Sequence, residues 1–122
     1  PVGIVMRKLG GIPVNREKKN DYVTSLSEEI ISRKKCILII PPEGTRARSD
    51  YWKSGFIYIA RKANVPIVFG RLDYQRKNLA FSRKVSASLS DDKIMKFAQA
   101  FYKDARPLHP AGFGPVRLKP KI

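Results

Sequence analysis

Residues 36–46 read Cys36-Ile37-Leu38-Ile39-Ile40-Pro41-Pro42-Glu43-Gly44-Thr45-Arg46, and the organisation of the chain turns on them. The five apolar residues are too short a run for an ordinary helix and have the pattern of a strand buried on both faces. Pro41 and Pro42 end that strand, because neither can donate to a ladder. The chain then releases a carboxylate, a glycine able to adopt positive φ, a hydroxyl and a guanidinium. Upstream, residues 22–34 read as an amphipathic helix. Val23, Leu26, Ile30 and Ile31 form its apolar stripe, Ser27, Glu28 and Lys34 lie on the wet side, and Asn20 or Asp21 can cap it. Downstream, Phe56, Ile59, Ala60 and Ala63 predict a helix over 51–63, capped by Ser49 or Asp50.

Farther along, Val65-Pro66-Ile67-Val68-Phe69 reads as a second buried strand running on to Tyr74. Gln75 to Asn78 reads as a turn, and Leu79-Ala80-Phe81 as the returning strand. Ser90, Asp91 and Asp92 mark a helix start, since carboxylates are favoured in a first turn. Ile94, Phe97, Ala98 and Phe101 line that helix, which ends near Ala105. At the other end, residues 1–9 allow a short helix stopped by Gly10-Gly11, and Ile12-Pro13-Val14 then makes a short extended segment. Buried-type strands alternating with helices indicate an α/β class, with helices packed on a mostly parallel or mixed sheet. Residues 1–106 are expected to form one domain. Pro107, Pro110, Gly112, Gly114, Pro115 and Pro120 make 107–122 an irregular basic tail. The opening at Pro1, with no charged-then-apolar leader pattern, reads as an interior piece of something longer.

Composition sets the outer bounds. A chain of 122 residues, 43% apolar and 29% charged, can bury an ordinary core and is neither a disordered tail nor a low-complexity repeat. The single cysteine, Cys36, excludes an intramolecular disulfide and a multi-cysteine zinc site. No apolar run approaches the roughly 18 residues of a membrane-spanning helix. Twenty-five Lys and Arg against ten Asp and Glu give a net charge of +15, which favours polyanionic partners: nucleic acid, an anionic membrane surface or a phosphorylated metabolite.

The loop at 43–50 is where chemistry is expected, because ligands of α/β folds gather at the carboxyl ends of strands. Gly44 permits close backbone approach, and Arg46 offers a planar fork matched to phosphate or carboxylate oxygens. A phosphate near the start of the next helix would also meet unpaired N–H groups. Glu43 repels phosphate, so its role is to hold Arg16 or Arg46, or to accept a bond from a substrate hydroxyl. Arg16, at the end of Leu9-Gly10-Gly11-Ile12-Pro13-Val14-Asn15-Arg16, can supply a second phosphate ligand.

Together these stretches resemble a known family. Gly10-Gly11-Ile12-Pro13-Val14-Asn15-Arg16, Pro41-Pro42-Glu43-Gly44-Thr45-Arg46 and Val65-Pro66-Ile67-Val68 look like three of the four sequence blocks of the glycerolipid (lysophosphatidate-type) acyltransferases. Trp52-Lys53-Ser54-Gly55-Phe56 and Leu72-Asp73-Tyr74 resemble a short bacterial branch of it. The resemblance spans about residues 1–102, with Pro42 to Arg46 its most specific element. It implies transfer of an acyl chain from acyl-CoA or acyl carrier protein, as co-substrate and not as bound cofactor, to a lysophospholipid or glycerophosphate hydroxyl. It implies that Arg16 ligates the acceptor phosphate, that Glu43, Gly44 and Arg46 shape the acceptor site with Thr45 supporting the turn, and that Val65 to Val68 line the apolar side of the cleft. The same resemblance implies a cytoplasmic protein held peripherally at an anionic membrane.

Three departures stand out. Asn15 replaces the family's usual Asp, and Pro41 replaces a usual Phe or other apolar residue. The family's catalytic H-x-x-x-x-D pair lies upstream of the first block seen here, and the single histidine, His109, comes after every block and has Gly114 five residues on. No catalytic residue is therefore assigned, and the chain is expected to carry the acceptor-binding part without the general base. Two other readings use the same charge. A non-catalytic protein of the anionic membrane surface would use basic helices at 22–35 and 51–62. A nucleic-acid module would stack bases on Tyr51, Trp52, Tyr58 and Tyr74, but no helix-turn-helix, zinc finger or aromatic RNA motif accompanies them.

Overall fold

The computed structural model describes residues 19–44, 48–105 and 114–120. The element order is α1 (Lys19–Ser32), α2 (Gly55–Ala63), β1 (Gly70–Asp73), β2 (Asn78–Phe81) and α3 (Asp91–Tyr102). The expected helix over 1–9, the segment 12–14 and most of the expected tail before Gly114 lie outside the described residues. The chain is thus mixed α/β, but the sheet differs from expectation: β1 and β2 form a two-stranded antiparallel hairpin, so a mostly parallel sheet is not what the described residues build. An isolated antiparallel bridge, Ile67 to Val85, extends the hairpin toward its open end. The one parallel contact described is an isolated bridge between Trp52 and Leu118.

The largest departure concerns residues 36–40. They take no regular strand, and among the described residues no strand lies beside them. Ile37 is 91% exposed and Ile39 86% exposed, while Cys36, Leu38 and Ile40 are half-buried. An apolar run is buried on both faces only between neighbouring strands and covering layers. Here a single side is covered, so the alternation of an extended segment appears in place of uniform burial. Residues 65–69 show the same one-sidedness: Ile67 and Phe69 are buried, and Val68 faces out.

Helix α1 runs from Lys19 to Ser32 and not over 22–34, so Asn20 and Asp21 lie inside it, Lys34 lies beyond it, and its buried stripe is rotated by one position. Leu26 and Ser27 are buried and Ile31 is exposed, so Ser27 belongs to the dry face and Ile31 to the wet one. Ser27 lies one helical turn beyond Val23, and its hydroxyl donates to the Val23 carbonyl at 2.6 Å, which satisfies the group where α1 packs against α2. Lys62 adds a tie from α2, its Nζ donating to Thr24 Oγ1 at 3.0 Å.

Helix α2 begins at Gly55, later than expected. Residues that would have formed its first turn are engaged elsewhere: the Trp52 N–H donates to the Arg117 carbonyl at 2.7 Å and the Lys53 N–H to the Pro42 carbonyl at 2.8 Å. Ser54, not Ser49 or Asp50, occupies the N-cap position, without a side-chain cap bond. The Ser49 hydroxyl instead donates to the Tyr51 carbonyl. At the other end Asn64 adopts φ 54°, a left-handed conformation that asparagine tolerates, and helix α2 stops where expected. Helix α3 starts as read: the Ser90 hydroxyl accepts from the Lys93 N–H at 3.3 Å, with Asp91 and Asp92 in the first turn.

Between α2, the hairpin and α3 lies one core: Trp52, Ile57, Ala60, Ile67, Phe69, Val85, Ala87, Ile94, Met95 and Ala98. Trp52 and Phe69 are its aromatic centre, with Phe56 and Tyr102 set edge-on against both. Burial pushes the Tyr102 hydroxyl up to about 12, and the hydroxyl donates to the Gly70 carbonyl. Arg61 staples α2 to the start of α3. Its Nε donates to the Ala87 carbonyl at 2.8 Å and its Nη2 to the Leu89 carbonyl and to Asp91 at 2.7 Å. Residues 114–120 form no regular element, yet Val116 and Leu118 pack on the core and Arg117 donates to the Asp50 carbonyl.

Gly114 makes the closest backbone approach of that segment. A Cβ there would collide with the Ser49 carbonyl, a backbone group that cannot swing aside. Gly114→Ala is accordingly expected to lower stability by about 1–3 kcal/mol in urea denaturation, as overpacking does. An unchanged midpoint would mean that the segment does not dock as described.

Candidate functional site

The described part of the loop is a tight turn from Pro41 to Gly44, and the chain is described again from Arg48 through Ser54. The Gly44 N–H donates to the Pro41 carbonyl at 3.2 Å, and the turn has proline at its second position and glycine at its fourth. Those are the residues a hydrogen-bonded four-residue turn favours, since proline presets φ at the second position and glycine is unhindered at the fourth. Gly44 takes φ 68°, the left-handed conformation foreseen from its lack of a Cβ. The turn is held to the body by the bond from the Lys53 N–H to the Pro42 carbonyl at 2.8 Å. Trp52, the preceding residue, is buried in the core, so the turn hangs directly from an aromatic anchor.

That attachment brings a cation to the turn. The Lys53 side chain crosses the open face of Gly44, its Cδ, Cε and Nζ each 3.1 Å from where a Cβ would stand. Lys53 was missed as a site residue, although it belongs to the Trp52-Lys53-Ser54-Gly55-Phe56 stretch. Its sequence position gave a signal only through the turn that folds back onto it. Glu43 is half-buried in the turn, and loss of hydration holds its carboxyl above the usual range. The carboxyl therefore keeps its proton to higher pH than a solvated glutamate.

Of the sequence-derived site residues, the structure brings Glu43 and Gly44 together in this turn. Arg16, Thr45 and Arg46 lie outside the described residues, as does His109. Trp52 is excluded as a base-stacking platform by its burial. Tyr51 lies under the Arg117 guanidinium, 4.8 Å from ring centroid to Cζ. Among the described residues no helix is long and apolar enough to cross a membrane, and no cluster of His, Cys, Asp and Glu could hold a metal ion.

The turn at 41–44 thus joins Glu43 and the left-handed Gly44 to one described cation, Lys53. Residues 1–68 match the sequence model described as Acyltransferase, more than half of the chain, and the protein belongs to that family. The matched region contains the blocks at 10–16, 41–46 and 65–68 together with Lys53, and ends before the hairpin. Neither the curated proteins nor the solved structures give a match.

The strain at Gly44 and the crowding by Lys53 can be separated. Gly44→Ala is expected to cost about 1–2 kcal/mol because the left-handed conformation penalises any Cβ. Replacing Lys53 with Ala in the same chain should leave that cost in place, since the lysine's flexible end can move. Full recovery in the double variant, measured by urea denaturation, would assign the cost to contact and not to the backbone.

Proposed function

We propose that this chain supplies the acceptor-binding part of an enzyme that moves an acyl chain from acyl-CoA or acyl carrier protein to a lysophospholipid or glycerophosphate hydroxyl. Membership of the acyltransferase family supports acyl transfer in general. The observation that carries the finer reading is the turn itself: Gly44 opens its backbone to a ligand, and the Lys53 side chain crosses the same face. Arg16 and Arg46 would ligate the acceptor phosphate through paired N–H donors, which match phosphate oxygens better than a point charge does. Lys53 would add a mobile cation at the rim of that site. Glu43 would accept from an acceptor hydroxyl or hold one of the arginines. Val65 to Val68 would offer the apolar side, though the exposed Val68 and buried Ile67 divide that role unequally.

The reaction also needs a base to take the proton of the attacking hydroxyl. His109 is the single histidine of these residues, and the fifth residue beyond it is Gly114, so the family's H-x-x-x-x-D pair does not occur within them. The reading therefore assigns binding to this chain and places it in the cytoplasm, peripherally at an anionic membrane. The isolated chain is expected to show no more than trace transfer, because general-base catalysis is worth roughly 10²–10⁴-fold.

Binding separates this reading from a merely basic surface. Arg46→Ala should weaken binding of a short-chain lysophosphatidate about tenfold or more, the loss of a charge-assisted bidentate contact. Lys96→Ala, a charge removed from the exposed side of α3, should change it little at physiological salt. Equal small losses from both variants would contradict an acceptor site at the turn.

A further inference from the structure

The hairpin is built inside out. In an antiparallel pair with one covered face, apolar residues ordinarily turn inward and polar ones outward. Here the register pairs Arg71 with Ala80 and Asp73 with Asn78 on one face, and Gly70 with Phe81 and Leu72 with Leu79 on the other. The charged residues take the inner side. Arg71 donates to the Phe101 carbonyl at 2.8 Å with its guanidinium over the Phe101 ring, and Asp73 is buried, accepting from the Arg76 N–H at 2.9 Å. The apolar residues take the outer side: Leu72 is 56% exposed, Leu79 58% and Phe81 70%. The Phe81 ring packs over Gly70, so the outer face is continuous across both strands.

Cations bracket this face at both ends. Lys77 is exposed in the turn that joins the strands, beside Arg76, whose guanidinium pairs with the inward Asp73 at 3.6 Å, and Lys84 is exposed just beyond β2, beside Arg83, whose guanidinium lies over the Phe97 ring. The inner face holds Asp73 and the Arg71 Nη1 in protein contacts, so the hairpin cannot turn over to hide its leucines without unpairing them. A partner must then offer apolar surface at the centre and negative charge at the margin. A second copy of the chain carries the same positive charge and is disfavoured by it. A nucleic acid satisfies the margin and leaves the leucines exposed.

We infer that the outer face of the β1–β2 hairpin docks on an anionic lipid bilayer, with Leu72, Leu79 and Phe81 entering the boundary between headgroups and acyl chains and Lys77 and Lys84 meeting the headgroups. The choice of a lipid over another apolar, anionic partner rests on the proposed lipid-acceptor reading; the orientation of the hairpin does not.

The test is co-sedimentation of the full 122-residue chain with vesicles of phosphatidylcholine alone or mixed equally with phosphatidylglycerol. The wild type should bind the anionic vesicles. Lys77→Gln with Lys84→Gln should weaken that binding by about fivefold per lysine at low salt, and the difference should vanish at high salt. Leu72→Ser, Leu79→Ser and Phe81→Ser together should weaken binding about tenfold or more at either salt, with an unchanged unfolding midpoint because all three side chains are exposed. Leu79→Ser and Phe81→Ser as single variants give the same reading if the triple variant does not fold. Vesicle binding unaffected by the apolar changes, or self-association that these changes abolish, overturns the inference. Glycerol 3-phosphate binding keeps the two proposals apart: hairpin variants should retain it, whereas Arg46→Ala should lose it and still sediment with vesicles.

Discussion

Trp52 is the residue on which the rest of the described structure hangs. Its indole fills the centre of the core, 5.6 Å from the Tyr102 ring and 6.1 Å from that of Phe56, and its backbone N–H holds the Arg117 carbonyl. The next N–H along, that of Lys53, holds the Pro42 carbonyl. Two successive residues thus gather three stretches far apart in sequence: the turn at 41–44, the packed body of α2 and α3, and residues 114–120. Burying an aromatic side chain of this size contributes enough that the two backbone bonds are made against a rigid support. Helix α2 accordingly begins only at Gly55, after the two residues that make these ties.

Positioning is what the turn gains from this arrangement. A positive φ at Gly44 and an amine crossing its face would mean little on a mobile loop. Held against Trp52, they form a defined spot where open backbone and a cation stand together, as the proposed phosphate seat requires. Beside it, loss of hydration holds the Glu43 carboxyl above the usual range. Arg61 plays the corresponding part on the far side of the core, where it fixes the loop ahead of α3 and with it the frame behind the hairpin.

Local signals in the sequence carried well where they were chemically specific. Ser90 with two adjoining carboxylates marked the start of α3, and the stripe Ile94, Phe97, Ala98 and Phe101 gave its inner face. Gly44 was legible because positive φ is a property of the residue. Hydrophobicity alone carried less. Residues 36–40 looked fully buried, but a run of five apolar residues records its own preference and not the presence of neighbours on both sides. Ser27 was assigned to the wet face by its hydroxyl, whereas its place on the stripe and its bond to Val23 decide its burial. The inverted hairpin was illegible for a related reason: the alternation in Arg71-Leu72-Asp73 was visible, but only the Phe101 carbonyl and the Arg76 turn show that the charged phase points inward. Lys53 entered the site through a backbone bond between residues eleven apart, which no local pattern announces.

The account centres on one claim, that the turn suspended from Trp52 is a seat for a phosphate. Amide chemical shifts tracked through a titration with glycerol 3-phosphate test it most directly. The Gly44 and Lys53 amides should move together and saturate, while the amides of Leu72 and Leu79 stay in place. Shifts spread over the exposed basic surface, unsaturated and lost on adding salt, would contradict it.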